Sequence, residues 1–313
     1  MGGGTTMPRA AKTAAATRPG LSLKARNTLV GMSFILPNFI GFFIFILIPV
    51  VFSFVLSVME WDGFTEMKFV GLRNFIEIFD DRVFRAALWQ TVVFSVFTVA
   101  LSMVAALGLA ILLNNKLRCV NFFRSAIFFP YVASIVAVAA VWKAMFMKDG
   151  GPVNEFLSLF LPADALPGWL ASTKWALAAC IIVQVWKNMG YFMIIYLAAL
   201  QDIPTSLYEA SSIDGATKWQ QFRYITLPML TPSHFFVLMM LIINSFKTFD
   251  LIFALSEGGP GTATTLLSLY IYNEAFISWN YGGVSAAAVV LFLIVGTITV
   301  IQFRMEKKFN DFM

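Results

Sequence analysis

A chain of 313 residues that is 59% hydrophobic, 16% aromatic and only 12% charged lies well outside the roughly 45–50% apolar and 25% charged composition of soluble domains. Most of its surface must therefore meet lipid or other helices. Its net charge of +5 comes from bases scattered among apolar runs rather than gathered into a stripe, which argues against a nucleic-acid partner. Its two cysteines, Cys119 and Cys180, fall in or beside apolar runs and support neither a disulfide framework nor a Cys-based metal site.

A spanning helix takes about 20 mostly apolar residues, and six runs qualify: 27–59, 86–113, 125–147, 175–200, 232–255 and 284–303. Before them, residues 1–26 are Gly-, Ala- and Thr-rich without periodicity and read as a disordered tail. Arg9, Lys12, Arg18, Lys24 and Arg26, with no acid among them, place that tail in the cytoplasm. The first run is far longer than the 7–15-residue core of a signal sequence and reads as a permanent anchor. The connection after it holds an excess of acids, among them Glu60, Asp62, Glu66, Glu77, Asp80 and Asp81, and faces outward. Within it, Leu72, Phe75, Ile76 and Phe79 fall at helical spacing opposite Arg73, Asn74 and Glu77, as in a short helix lying in the interface, read as a lid packed on the protein's own helices rather than as a ligand site.

The loop after the second run carries Lys116, Arg118 and Arg124 without an acid and is cytoplasmic. Alternation then puts the 201–231 loop and both termini inside, in agreement with Arg304, Lys307 and Lys308. The connection after the fifth run has Glu257 and Glu274 and no base, so it faces out. The expected fold is an all-α integral membrane protein of six transmembrane helices. A transmembrane domain spans 27–305, with a cytoplasmic loop, 201–231, between helices four and five and a cytoplasmic tail at 306–313.

No G-x-x-x-x-G-K-[ST] phosphate loop is present. The lone histidine, His234, has no Cys, Asp or Glu at metal-ligand spacing, and no acid–base or nucleophile arrangement stands out. A membrane enzyme is disfavoured and a path through the membrane is left, marked by polar residues that are costly in hydrocarbon. Gln184, Lys187 and Asn188 lie in the fourth run. Lys187 sits roughly 18 Å from the run's outer start at about 1.5 Å per residue, has no acid on its own helix, and is expected to border the path or pair across a subunit interface. Asn244, Lys247 and Asp250 lie in the fifth run, where Lys247 and Asp250 are spaced to pair within one helix. The outer stretch Glu257, Gly258, Gly259, Pro260 reads first as turn chemistry and second as a docking loop. Trp169, Trp175, Trp279 and Tyr281 read first as an interfacial belt and second as rings on which a solute stacks.

The 201–231 loop is the richest in local signals. Pro204 suits a first helical turn, Leu207, Ala210 and Ser211 share a face, and Gly215 suits a left-handed helix end. Thr217 with Gln220 fits a capping box, Trp219, Phe222 and Ile225 recur at spacings of three, and Leu227-Pro228 is expected to stop the second helix. Glu209-Ala210-Ser211, three residues, Gly215, nine residues, Ile225-Thr226-Leu227-Pro228 resembles the E-A-A-x(3)-G-x(9)-I-x-L-P loop of permeases in binding-protein-dependent ABC importers. With "KFVGLRNF", "VWKNMGYFMIIYLAALQDIP" and "FDLIFALSEGGPG", it is similar to sugar-type permeases related to the maltose and glycerol-phosphate systems. Ser211 replaces the second alanine of the pattern, small for small.

That resemblance covers roughly residues 30–305 and implies a subunit of the bacterial or archaeal inner membrane that forms the path for a sugar, oligosaccharide or related solute. It implies a second homologous permease, two ATPase subunits that carry ATP and Mg, and an extracytoplasmic solute-binding protein, with no cofactor on this chain. The loop residues implied to meet the ATPase are Glu209, Ala210, Ser211, Asp214, Gly215, Ala216, Trp219, Phe222, Leu227 and Pro228. The alternative is a secondary transporter or channel without ATP, which would call for a relay of several acids or histidines; only Asp250 qualifies.

Overall fold

The computed structural model describes Gly2 and residues 23–115 and 118–310. The expected disordered tail lies outside the described residues apart from Gly2 and its last four positions, which are helical, as do Lys116 and residues 311–313. Packing divides the chain into two units, one reaching Phe52 and the other starting at Ser53.

From Leu23 on, the first unit consists of α1 (Leu23–Phe42), a π-helical turn (Phe43–Leu47) and the start of α2 (Ile48–Leu56). Val30–Leu56 is long and apolar enough to cross a bilayer, as the first run requires.

The second unit opens with a small hairpin in which β1 (Met59–Glu60) pairs antiparallel with β2 (Lys68–Phe69), Met59 opposite Phe69. In its turn the Asp62 carboxylate accepts the Thr65 and Phe64 N–H groups at 2.8 and 3.0 Å. These bonds, Thr65's foremost, hold its pKa down at about 2. Next come α3 (Arg73–Asp80) and α4 (Arg82–Leu113), with the Asp81 side chain capping α4 on Val83 N–H and Phe84 N–H. The expected faces of α3 are rearranged. Asn74 is buried, donating to Ser57 O and Met59 O at 2.9 and 2.7 Å, while Leu72, Ile76 and Phe79 are exposed. The two open carbonyls beside the hairpin draw in an amide, and the apolar residues are left to face outward.

Along α4, Thr91, Ser95, Thr98, Ser102, Ala106 and Ala110 are all buried. Small side chains on one stripe allow close helix approach in a membrane, and α8 (Ala176–Gln201) packs along it. Between them the third run is not one straight helix: α5 (Val120–Val132) and α6 (Ile135–Met145) meet at 99°. The short α7 (Pro152–Leu157) follows.

After α8 come α9 (Thr205–Ile213), α10 (Lys218–Gln221), a π-helical turn (Phe222–Thr226), α11 (Leu227–Met229) and α12 (Thr231–Phe246). The expected fifth span, 232–255, is corrected here. Its helix ends at Phe246, Lys247 to Phe249 leave the helical path, and α13 (Asp250–Leu255) starts anew. Lys247 N–H and Thr248 N–H turn back to Asn244 O and Ser245 O, the tightened bonds of a helix end. α14 (Leu267–Phe276) and α15 (Tyr281–Asn310) complete the chain. Among the described residues four helices are long and apolar enough to span, or up to six if each of two bent pairs, α5 with α6 and Lys218–Met229 with α12, is one span.

Three apolar clusters hold the second unit. One gathers Trp169, Cys180, Val183, Leu251, Ile252 and Leu266; a second gathers Ala106, Ala110, Tyr196, Leu200, Leu230 and Leu241; a third joins α3, α4, α14 and α15 through Ile78, Phe84, Leu267 and Ala286.

Candidate functional site

The loop between α8 and α12 is a knitted knob. Pro204 precedes α9 as its cap rather than standing in its first turn. At the other end Asp214 closes the helix and Gly215 takes φ +78°. Ala216 N–H reaches Ser211 O at 2.9 Å and Gly215 N–H reaches Ser212 O at 3.2 Å, the paired bonds of a Schellman ending. A Cβ on Gly215 would meet nothing within 4 Å, so the backbone angle alone asks for glycine. The capping box is present: Gln220 N–H donates to Thr217 Oγ1 at 3.3 Å and Thr217 N–H to Gln220 Oε1 at 2.7 Å.

What ties the two short helices together is Gln221, which the sequence reading missed. It is buried, and its Nε2 donates to Tyr208 O, Ser211 Oγ and Ser212 Oγ at 3.1, 3.0 and 2.8 Å. Tyr208 Oη and Thr226 Oγ1 add a 2.9 Å bond across the same gap. The signal was the Gln220-Gln221 pair, of which a capping box uses only one member. Leu227-Pro228 does not end the helical path. Leu227 N–H bonds Phe222 O in a widened π turn just before the proline, which absorbs the donor that Pro228 lacks, and the chain bends by 65° only after Met229.

The knob turns apolar side chains outward: Ile213 is 87% exposed, Tyr224 73%, Trp219 70% and Leu207 40%. Glu209, Ala210, Asp214 and Pro228 are also exposed, while Ser211, Ala216, Phe222 and Leu227 are half-buried.

The in-membrane polar residues separate into two groups. On α8, Gln184 Nε2 donates to Asn188 Oδ1 at 2.9 Å. Lys187 Nζ donates to Tyr131 O, Pro130 O and Ala133 O at 2.8, 3.3 and 3.5 Å and lies 5.7 Å from the Tyr131 ring centre. The acid that Lys187 lacks on its own helix is replaced by the carbonyls left open where α5 ends at the bend, at the negative end of the helix dipole. Tyr131 stacks on Tyr191 at 4.4 Å, and a Cβ on Gly190 would lie 2.0 Å from Ile127 O, so α5 and α8 touch backbone to backbone there. Neither Gly190 nor Tyr131 stood out in the sequence.

Asn244, Lys247 and Asp250 all lie exposed at the break between α12 and α13. The expected Lys247–Asp250 pair is not formed, because the break destroys the helical spacing. The ion pairs found among the described residues are those of Arg73 with Glu77 at 2.7 Å and Glu60 at 3.7 Å. His234 Nδ1 lies 2.9 Å from the Tyr196 hydroxyl, and the described residues hold no group of three metal-ligating side chains.

The outer loop is bound to itself. Gly258, at φ +88°, is buried, and its carbonyl accepts Thr264 N–H at 3.1 Å and Thr265 Oγ1 at 3.2 Å. The buried Thr264 donates through Oγ1 to Gly259 O at 2.9 Å and shares a 2.8 Å bond with Ser256 Oγ. Glu257 is exposed, while Gly259 and Pro260, joined by a cis peptide bond, are half-buried.

Residues 23–310 match the family described as the binding-protein-dependent transport system inner membrane component. The chain belongs to this family. As a member it is a transport component of the inner membrane rather than an enzyme. It is 38% identical over 294 residues, 92% of this chain and 97% of the relative, to the lactose transport system permease protein of Rhizobium radiobacter. It is 34% identical over 290 residues, again 92% and 97%, to the trehalose/maltose transport system permease protein of Thermococcus litoralis. Among solved structures, a bacterial ABC transporter involved in the import of the acidic polysaccharide alginate contains a chain that superposes with a TM-score of 0.79 at 25% identity, covering 91% of this chain and 97% of that one.

Proposed function

We propose that this permease is the path-forming subunit of an ATP-driven importer for a sugar or oligosaccharide, with six spans, both termini in the cytoplasm and the 201–231 loop as its coupling element. The sugar class rests on the substrates named for its relatives, lactose and trehalose/maltose. A second homologous permease completes the path, two ATPase subunits bind ATP and Mg and bear on the loop from inside, and a solute-binding protein delivers substrate from outside. This chain carries no cofactor of its own. Residues 27–305 form the permease domain between cytoplasmic tails at 1–26 and 306–313.

The observation that carries the coupling assignment is the knob. Leu207, Ile213, Trp219 and Tyr224 are turned to water around Glu209 and Asp214, while the buried Gln221 locks α9 to α10. Apolar area left exposed at such a place is what a partner's groove buries. The internal bonds let a push on the knob reach α8 and α12 without being lost in a soft loop.

Glu209→Lys tests this. Its side chain is exposed and the insertion of the chain is expected to survive, but a reversed contact charge should weaken ATPase copurification and abolish uptake. Normal uptake together with normal copurification would remove the loop from the coupling route.

A further inference from the structure

At the end of the second unit where α4 and α8 begin, three segments enclose a groove of about 460 Å³. Trp89, Gln90 and Val93 come from α4, Thr173 and Lys174 from the turn before α8, Leu177 from its first turn, and Pro260–Ala263 from the outer loop. The volume falls in the range of small-ligand sites, about 300–1,000 Å³.

Its chemistry is unlike that of the lipid-facing grooves on the same helix. Further along α4 a second groove is lined by Val92, Val96, Val99, Leu238, Ile242 and other apolar side chains, with Ser95 the lone polar residue, as contact with acyl chains or another helix would require. Around Trp89 the lining instead offers a carboxamide, an ammonium group and two hydroxyl-bearing residues, Thr173 and Thr262. The Trp89 side chain is 68% exposed, so an aromatic face stands open beside these donors and acceptors.

Gln90 adds a second observation. Its Oε1 is buried and has no hydrogen-bond partner. A buried amide oxygen without a donor is destabilising, and such orphans ask for an explanation. A hydroxyl donated by something lying in the groove, after a small turn of the amide, would satisfy it.

We infer that this groove is an entry subsite for a saccharide at the outer mouth of the path, distinct from the polar residues in mid-span. One glycosyl ring lies on the Trp89 face, its hydroxyls donate to Gln90 and exchange bonds with Thr173 and Thr262, and Lys174 stands at the ring edge for oxygen substituents. The inference rests on the sugar-importer reading. An interfacial-belt role for Trp89 accounts for the exposed ring but not for the unpartnered Gln90 oxygen or for the polar ring of residues around it.

The test uses the complete importer in lipid nanodiscs without its binding protein, with radiolabelled maltotriose and an alginate trimer as probes in equilibrium dialysis, beside uptake assays with the binding protein added. At least one probe should bind the wild type, and Trp89→Ala should weaken it about tenfold, with Trp89→Phe closer to wild type, because stacking area is kept. Gln90→Leu should also weaken it, and Lys174→Gln should weaken the acidic trimer more than the neutral one. Uptake should show a raised KM with the maximal rate retained. Unchanged binding and KM in Trp89→Ala and Gln90→Leu, in an importer that does carry a saccharide, would overturn the subsite and leave the importer reading intact. A loss of binding-protein association with direct saccharide binding unchanged would also overturn it, assigning the groove to the protein partner. A wild-type complex that imports no saccharide would remove both readings.

Discussion

The inner loop around Gly215 and the outer loop around Gly258 both turn on a glycine at positive φ, +78° and +88°, and both look alike as text. Their surroundings differ. Gly215 stands in open space, whereas a Cβ on Gly258 would lie 2.8 Å from Thr265 Oγ1 and 3.0 Å from Leu269 Cδ2. One glycine answers to backbone angle alone, the other to angle and space together. The inner loop spends its hydrogen bonds on joining two helices and keeps an apolar surface outward; the outer loop folds its threonines in over its own carbonyls. A knob with an open apolar face and a turn bonded onto itself can share a sequence signature.

The comparison breaks first at Gly258. Gly258→Ala should destabilise the protein by about 3 kcal/mol, combining about 1–2 for the left-handed angle with about 1–3 for overpacking against Thr265 and Leu269. Thermal unfolding of the purified subunit or complex would read this directly. A wild-type midpoint would mean that Thr265 and Leu269 yield freely and that the two glycines are equivalent after all.

A sharper contrast comes from two changes at Gly215. Gly215→Val should cost about 2 kcal/mol locally, since β-branched residues tolerate positive φ worst, and should abolish uptake while leaving membrane insertion intact. Gly215→Asn, with a side chain suited to the left-handed region and nothing to strike, should cost well under about 1 kcal/mol and retain most uptake. If Asn proved as damaging as Val, the space around Gly215 would have to be filled by a partner in the assembled complex.

How far the sequence spoke depended on how local the cause was. The Gly215 ending and the Thr217–Gln220 box are encoded within a few residues, and both are found, whereas the third apolar run bends by 99° and the fifth breaks after Phe246. The Lys247–Asp250 pair failed because three residues of spacing promise contact only if the helix is unbroken, and nothing nearby announces the break after Phe246. Leu227-Pro228 promises a stop because proline restricts the residue before it, yet a π turn upstream carries the helical path on to Met229. Gly190 and Tyr131 were invisible, and Gln221 legible only as the spare member of the Gln220-Gln221 pair, for another reason: each matters through a residue brought to it by folding, Tyr208 and Ser211 in one case and the α5–α8 contact in the others.

Lys187 carries that last lesson into the making of the protein. Its three carbonyl partners precede it by 57, 56 and 54 residues, so the ribosome delivers the elbow between α5 and α6 well before it delivers the side chain that satisfies it. An open carbonyl in hydrocarbon costs several kcal/mol, and the elbow therefore cannot settle in the bilayer by itself. Chains that carry Ala133→Cys and stop before α8 should react at that cysteine with a water-soluble maleimide, and full-length chains should be protected; equal labelling would separate the elbow from Lys187. The order of synthesis is then part of the architecture: the α5–α6 elbow gains the ammonium group that closes its carbonyls only when α8 has been made.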